Sequence, residues 1–228
     1  MGRRVFLGVL ALGAIGVVTG RAVQDGVASA IGKVPDPGGI LGLLPLGDTF
    51  RYYSVTGSVP TRTAADYTLT VDGLVDHPLT LTLADLAALP QTSLTRDFQC
   101  VTGWRVPEVP WKGVRISDLL DRVGVQHSAQ ALRFVSFDGT YTESLTLDQA
   151  RRDDVIVATS MQDDTPVSHD HGGPVRLYVA PMYGYKSCKW LERIELTAAV
   201  EPGYWEDYGY DVDGWVGDSN GRSDQPTS

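Results

Sequence analysis

From about residue 50 the chain repeats a pattern of short strands and short helices, and that pattern admits few architectures. Tyr67, Leu69 and Val71 alternate with Thr68, Thr70 and Asp72, the period of a half-buried strand, and Asp72-Gly73 supplies the turn that ends it. A second short strand runs through Leu79 and Leu81. Thr82-x-x-Asp85 reads as a capping box opening a helix over Leu83–Leu89 that Pro90 stops. Ser117 is placed to cap a helix carrying Leu119, Leu120 and Val123, with Gly124 at its end. Leu132–Phe137 and Tyr141–Leu145 flank an Asp138-Gly139 turn, and Thr146-x-x-Gln149 caps another short helix. Further strands are predicted at Val155–Ala158, Val175–Val179 and Trp190–Leu196, whereas Pro107 and Pro110 read as keeping the stretch after residue 104 irregular. The fold class is therefore α+β, a mixed, sheet-rich domain with short helices; βαβ alternation is too weak for a doubly wound sheet.

Residues 1–30 are built for transport. Arg3 and Arg4 precede an apolar run, and Ala28-Ser29-Ala30 supplies the small residues that suit a signal peptidase. Val5 to Gly20 is 16 residues, under the roughly 18 of a confident membrane span, although a retained N-terminal anchor is the alternative. The Arg-Arg pair followed by Phe6 and Leu7 resembles a twin-arginine signal, a route for proteins folded around a cofactor. Residues 31–49 read as a linker, 50–217 as the domain, and 218–228 as a polar, disordered tail. Nineteen Lys and Arg against 28 Asp and Glu leave a net charge of −9, which argues against nucleic acid as a partner.

Three segments carry chemistry. Cys100, followed by a Thr102-Gly103 turn, reads as an accessible loop cysteine, and a thiolate is a soft metal ligand. A small buried hydrophobe and a disulfide to Cys188 are the other readings of it, and both stay open. His169 and His171 lack a suggestively spaced third ligand for a metal, so with Arg176 they fit better as donors to an anionic ligand. Lys186, Ser187 and Lys189 follow Gly184 and fit either a phosphate cradle or a solvated basic patch. The Gly-x-Ser-x-Gly, Gly-x-Gly-x-x-Gly and P-loop patterns are absent.

In this order the segments resemble the molybdopterin-binding domain of the sulfite oxidase family, over about Phe50 to Trp215: FQCVTGW around Cys100, HGGPVR at 171–176, GYKSCKWLERIEL at 184–196 and GYWEDYGYD at 203–211. The resemblance implies the sulfite-oxidase-type fold and the molybdenum cofactor, with Cys100 as the molybdenum ligand and catalytic residue. It also implies that His171 and Arg176 hold the pterin and its phosphate, and that Ser187, Cys188 and Lys189 contribute backbone and lysine contacts, supported by Lys186. FRYYSV near the start adds Tyr53 and Ser54. The Thr102-Gly103-Trp104 continuation departs from the animal and plant enzymes and looks more like the bacterial periplasmic branch, which includes the protein-methionine-sulfoxide reductase catalytic subunit. The side chain of Cys188, where the family tolerates a small apolar residue, reads as structural.

The expected activity is oxygen-atom transfer on a small oxidised or oxidisable substrate, sulfur-centred, free or protein-bound. An oxyanion would need cations, and Arg96 and Arg105 are the nearest in sequence. The expected setting is extracytoplasmic, as a monomer drawing on a separate electron-transfer protein, such as a membrane heme protein. The competing reading is a non-catalytic exported domain holding an anionic ligand on the same fold; such a binder has no need of Cys100.

Overall fold

The computed structural model describes residues 50, 52–161 and 164–218. The signal and linker expected over 1–49, and the tail beyond Asp218, lie outside the described residues. Residues from Ser54 onward form one compact unit, separate from the segment up to Tyr53.

That unit contains two five-stranded sheets among the described residues. The first has the order β2 (Leu79–Thr82), β1 (Thr68–Gly73), β10 (Leu191–Thr197), β5 (Ala131–Ser136) and β6 (Thr142–Thr146). The second runs β3 (Thr92–Gln99), β4 (Arg105–Arg115), β7 (Val155–Met161) and β8 (Thr165–Pro166), with β9 (Arg176–Val179) also paired to β7. Only β1 and β10 pair in parallel among these ladders, so the sheets are mixed, as the α+β reading expects. The inward residues of both sheets, such as Leu69, Val71, Phe134, Ile194, Val157 and Leu177, join Leu86, Leu119 and Val123 from the helices in one buried cluster.

Both predicted capping boxes are present. Thr82 accepts from the Asp85 N–H ahead of α1 (Leu83–Ala88), and Thr146 accepts from the Gln149 N–H ahead of α3 (Leu147–Ala150). Ser117 does not cap its helix. The capping position of helix α2 (Ile116–Val123) is Arg115, two residues before Ser117, because β4 runs directly into the helix and leaves no polar turn between them.

The largest departure is β4, an 11-residue strand where the prolines predicted irregular chain. Its pairing with β7 begins only at Trp111, so residues 105–110 are bonded on one side, to β3. The β3–β4 register shifts between Arg96 and Phe98, and Glu108 adopts φ 50° in the displaced stretch. Pro107 and Pro110 thus occupy edge-like, bulged backbone, where a missing N–H costs no central ladder bond. No helix among the described residues is long and apolar enough to cross a membrane.

Candidate cofactor site

Cys100 leaves the end of β3 into a turn in which Gly103 N–H donates to the Cys100 carbonyl at 2.9 Å and Cys100 N–H donates to the Trp104 carbonyl at 2.9 Å. The thiol is half-buried, with Thr102 Oγ1 3.2 Å from its sulfur. Cys100 and Cys188 form no disulfide, which closes that alternative. The turn is braced by stacked rings. Phe98 lies between Trp104 (centroids 5.9 Å apart) and Tyr178 (6.4 Å), and Tyr178 stacks on Trp111 at 4.8 Å. Tyr178 Oη donates to the Asp97 carbonyl at 3.1 Å, and burial pushes its phenol further up, so it remains a donor at neutral pH.

Arg176 is the junction of the other two segments. The residue is 2% exposed, and its guanidinium donates to the carbonyls of His171 (2.6 Å), Ser187 (3.0 Å) and Leu177 (3.3 Å). It lies over the rings of Phe98 (5.5 Å) and Trp111 (5.1 Å), beneath the strand that delivers Cys100. Burial lowers its pKa to about 10, so it stays charged at neutral pH. The sequence reading aimed this arginine at a phosphate, but its donors are spent largely on backbone, and it acts by holding the 169–175 and 184–189 loops together.

Backbone bonds complete that union. Leu177 N–H donates to Cys188 O at 2.8 Å, Trp190 N–H to Gly172 O at 2.8 Å, and Val179 N–H to the Ser187 hydroxyl at 3.0 Å. Ser168 Oγ fixes the His171 ring through Nδ1 at 2.8 Å. Gly172 sits at φ 97°, and a Cβ there would fall 2.6 Å from the Lys189 stem, so the histidine loop lies directly on that lysine. Lys189 is half-buried with its ammonium 4.4 Å from the Trp190 ring centroid. Desolvation, then Arg176, pulls its pKa down to about 7.

These contacts bring together Cys100, His171, Arg176, Ser187, Cys188 and Lys189. Ser54 instead pairs its hydroxyl with Thr56 at 3.0 Å, and exposed Tyr53 belongs to the separate N-terminal segment. Cys188 enters only through its backbone; its thiol is fully buried and burial raises its pKa well above the ordinary thiol range. Lys186 corrects the sequence reading outright. It is neither a phosphate ligand nor a solvated cation, because its ammonium is sealed against Glu143 and Glu206. Arg105, a candidate for oxyanion recognition, is ion-paired to buried Asp97, and Arg96 donates to the Thr95 carbonyl. Asp97 has no signal in the local sequence, since its partner is eight residues away across a bulge.

The set fits a molybdopterin. It offers a half-buried thiol outside any disulfide, an ammonium with a lowered pKa, a fixed imidazole and loops packed to van der Waals contact around them. Buried Gln99 Oε1, adjoining Cys100, has no hydrogen-bond partner among the described residues, as expected beside a polar group supplied from outside the chain.

Comparison with known proteins agrees. Residues 56–205 match the family described as the oxidoreductase molybdopterin binding domain. The chain is 35% identical over 160 residues to the uncharacterized oxidoreductase YuiH of Bacillus subtilis (strain 168), covering 70% of this chain and 80% of that one. It is 30% identical over 178 residues to the sulfite oxidase of Arabidopsis thaliana, covering 63% of this chain but 45% of the plant protein. The sulfane dehydrogenase SoxCD from Paracoccus pantotrophus shares the fold, with a TM-score of 0.57 at 23% identity over 63% of this chain and 41% of that one. The chain belongs to the sulfite oxidase family of molybdopterin-binding proteins and is a molybdenum-dependent oxidoreductase.

Proposed function

We propose that the chain is the catalytic part of an exported enzyme that transfers an oxygen atom to or from sulfur in an uncharged substrate, with Cys100 as its protein ligand to molybdenum. When bound, the cofactor supplies the two-electron oxygen-transfer chemistry. The chain supplies the rest. Cys100 presents a soft thiolate from a rigid turn, Lys189 meets the pterin phosphate once protonated, and His171 and the Ser187–Lys189 backbone line the same cradle. Arg176 positions both loops.

The observation that carries the reading is the half-buried, disulfide-free Cys100 side chain beside a stack of rings over Arg176. A binder of anions needs no such thiol. Pairing of Arg105 with Asp97 removes the most suitable cation for an oxyanion and favours a neutral sulfoxide or similar oxide. A separate electron-transfer protein completes the redox cycle.

Protein purified from a molybdopterin-competent host tests this. It should carry equimolar molybdenum and pterin and reduce dimethyl sulfoxide or methionine sulfoxide with a reduced viologen, in preference to oxidising sulfite with ferricyanide. Sulfite as the better substrate would overturn the uncharged-substrate reading, and metal-free protein would overturn the enzyme reading. For export, Arg3→Lys with Arg4→Lys should leave cofactor-loaded protein in the cytoplasm; normal export would indicate an ordinary signal or an anchor.

A further inference from the structure

Lys186 lies two and three residues from the cofactor-facing Cys188 backbone and Lys189, yet points the opposite way. Its ammonium is fully buried, 2.7 Å from Glu206 Oε1 and in direct contact with Glu143 Oε1. Glu143 comes from β6 and Glu206 from a 3-10 turn (Glu206–Tyr208), and both are buried. Burial of ions on this scale is costly, and leaving one unpaired is costlier. The surrounding chain is shaped to accept it. A Cβ at Gly203 would stand 2.8 Å from Glu206 Oε2 and 2.9 Å from Glu143 Cα, and one at Gly214 would stand 2.8 Å from Lys186 Cγ. Residues 203–214 therefore close around the lysine stem like a strap. Tyr185 Oη ties the strap again by donating to Asp211 O at 2.7 Å, and Tyr183 N–H donates to Gly214 O at 2.7 Å.

One ammonium faces two carboxyls, and the second oxygens of both glutamates are buried without another hydrogen-bond partner. Burial and neighbouring Glu206 raise the Glu143 pKa well above the ordinary range, against the pull of Lys186. The result is a closed cluster joining β6, the strap and the 184–189 turn.

We propose that Glu143, Lys186 and Glu206 are positioning residues of the cofactor site: the cluster clamps the 184–189 turn from behind, so that Ser187, the Cys188 backbone and Lys189 are presented to the cofactor in register with Arg176. This rests on the assignment of that turn to the cofactor. The link is short and covalent. Ser187, adjoining Lys186, supplies both the carbonyl that takes Arg176 Nη2 and the hydroxyl that takes Val179 N–H. A turn released on the Lys186 side loses the register of both bonds.

The test separates clamping from mere stability. Cofactor-loaded wild type, Glu206→Gln, the double variant Lys186→Met with Glu206→Gln, and Arg176→Lys are compared. For each, thermal midpoint, molybdenum and pterin per chain, and the rate of pterin loss after dilution are measured well below the midpoint. The double variant carries no buried ion pair, so its thermal midpoint should approach that of wild type. Its pterin loss should still be roughly tenfold faster, the scale of one charge-assisted hydrogen bond. Wild-type retention in the double variant would overturn the proposal. If that variant is insoluble, Glu206→Gln, which preserves side-chain size, decides by the same retention criterion. Faster loss in Arg176→Lys alone would leave the cofactor site standing and remove the clamp; unchanged loss in every variant would remove the site assignment itself.

Discussion

The ring of Phe98 occupies the space that a side chain at position 184 would need: a Cβ on Gly184 would lie 2.5 Å from Phe98 Cζ. The backbone of the 184–189 turn thus packs flat against the residue two before Cys100. Gly184→Ala should push the ring, and with it the stacked Trp104, out of place. The expected outcome is folded protein, less stable by about 1–3 kcal/mol, with substoichiometric molybdenum by metal analysis. Full metal content would show that the turn and the cysteine loop are not coupled.

Arg176→Ala should cost more stability than a phosphate contact alone would. Removing the guanidinium strands the carbonyls of His171 and Ser187 in buried surroundings. We expect a loss of at least about 3 kcal/mol, read as a thermal midpoint lowered by roughly 6–12 °C, in cofactor-free protein as well as loaded. Arg133→Ala, at a half-exposed ion pair, should change the midpoint by little. A normal midpoint in cofactor-free Arg176→Ala would return this residue to the role of a simple phosphate ligand.

Lys189 gives the site a pH dependence. Its folded-state pKa of about 7 lies below the ordinary lysine value, so the ammonium form is disfavoured in the empty site. Between pH 7 and 9 the pterin phosphate is a dianion throughout while Lys189 loses its proton. Binding of pterin by cofactor-free protein should therefore weaken across that window, by up to about tenfold. The Lys189→Gln variant should bind more weakly at pH 7 and show little slope. For stability the sign is opposite: the unfolded lysine holds its proton to higher pH, so cofactor-free wild type gains stability as pH rises above 7, and this gain should vanish in Lys189→Gln. Parallel pH profiles in the two proteins would exclude Lys189 as the titrating group.

Most local signals in the sequence survived folding, the Ser117 cap excepted, and non-local ones did not. The alternation at Tyr67–Asp72 and the capping boxes at Thr82 and Thr146 depend on neighbours within four residues, and all three recur in the structure. The adjacency of Cys100, Arg176 and Lys189 was legible only through the order of family motifs. Strand β4 was missed because a proline's cost depends on which edge of the strand is paired, and that is set by β7, about 50 residues on. Lys186 was misread for the same reason: its partners Glu143 and Glu206 are 43 and 20 residues away. Nothing in the local sequence distinguishes a buried lysine from a solvated one. Arg105 belongs with them, since its pairing with Asp97 follows from a register shift that only the folded sheet defines.

The most direct measurement is X-ray absorption at the molybdenum edge of loaded wild type, Cys100→Ser and Cys188→Ala. If Cys100 is the protein ligand, Cys100→Ser should lose one sulfur neighbour from the metal while Cys188→Ala, altered at a fully buried thiol, keeps the wild-type sulfur shell. An unchanged sulfur count in Cys100→Ser, with molybdenum still bound, would contradict the account.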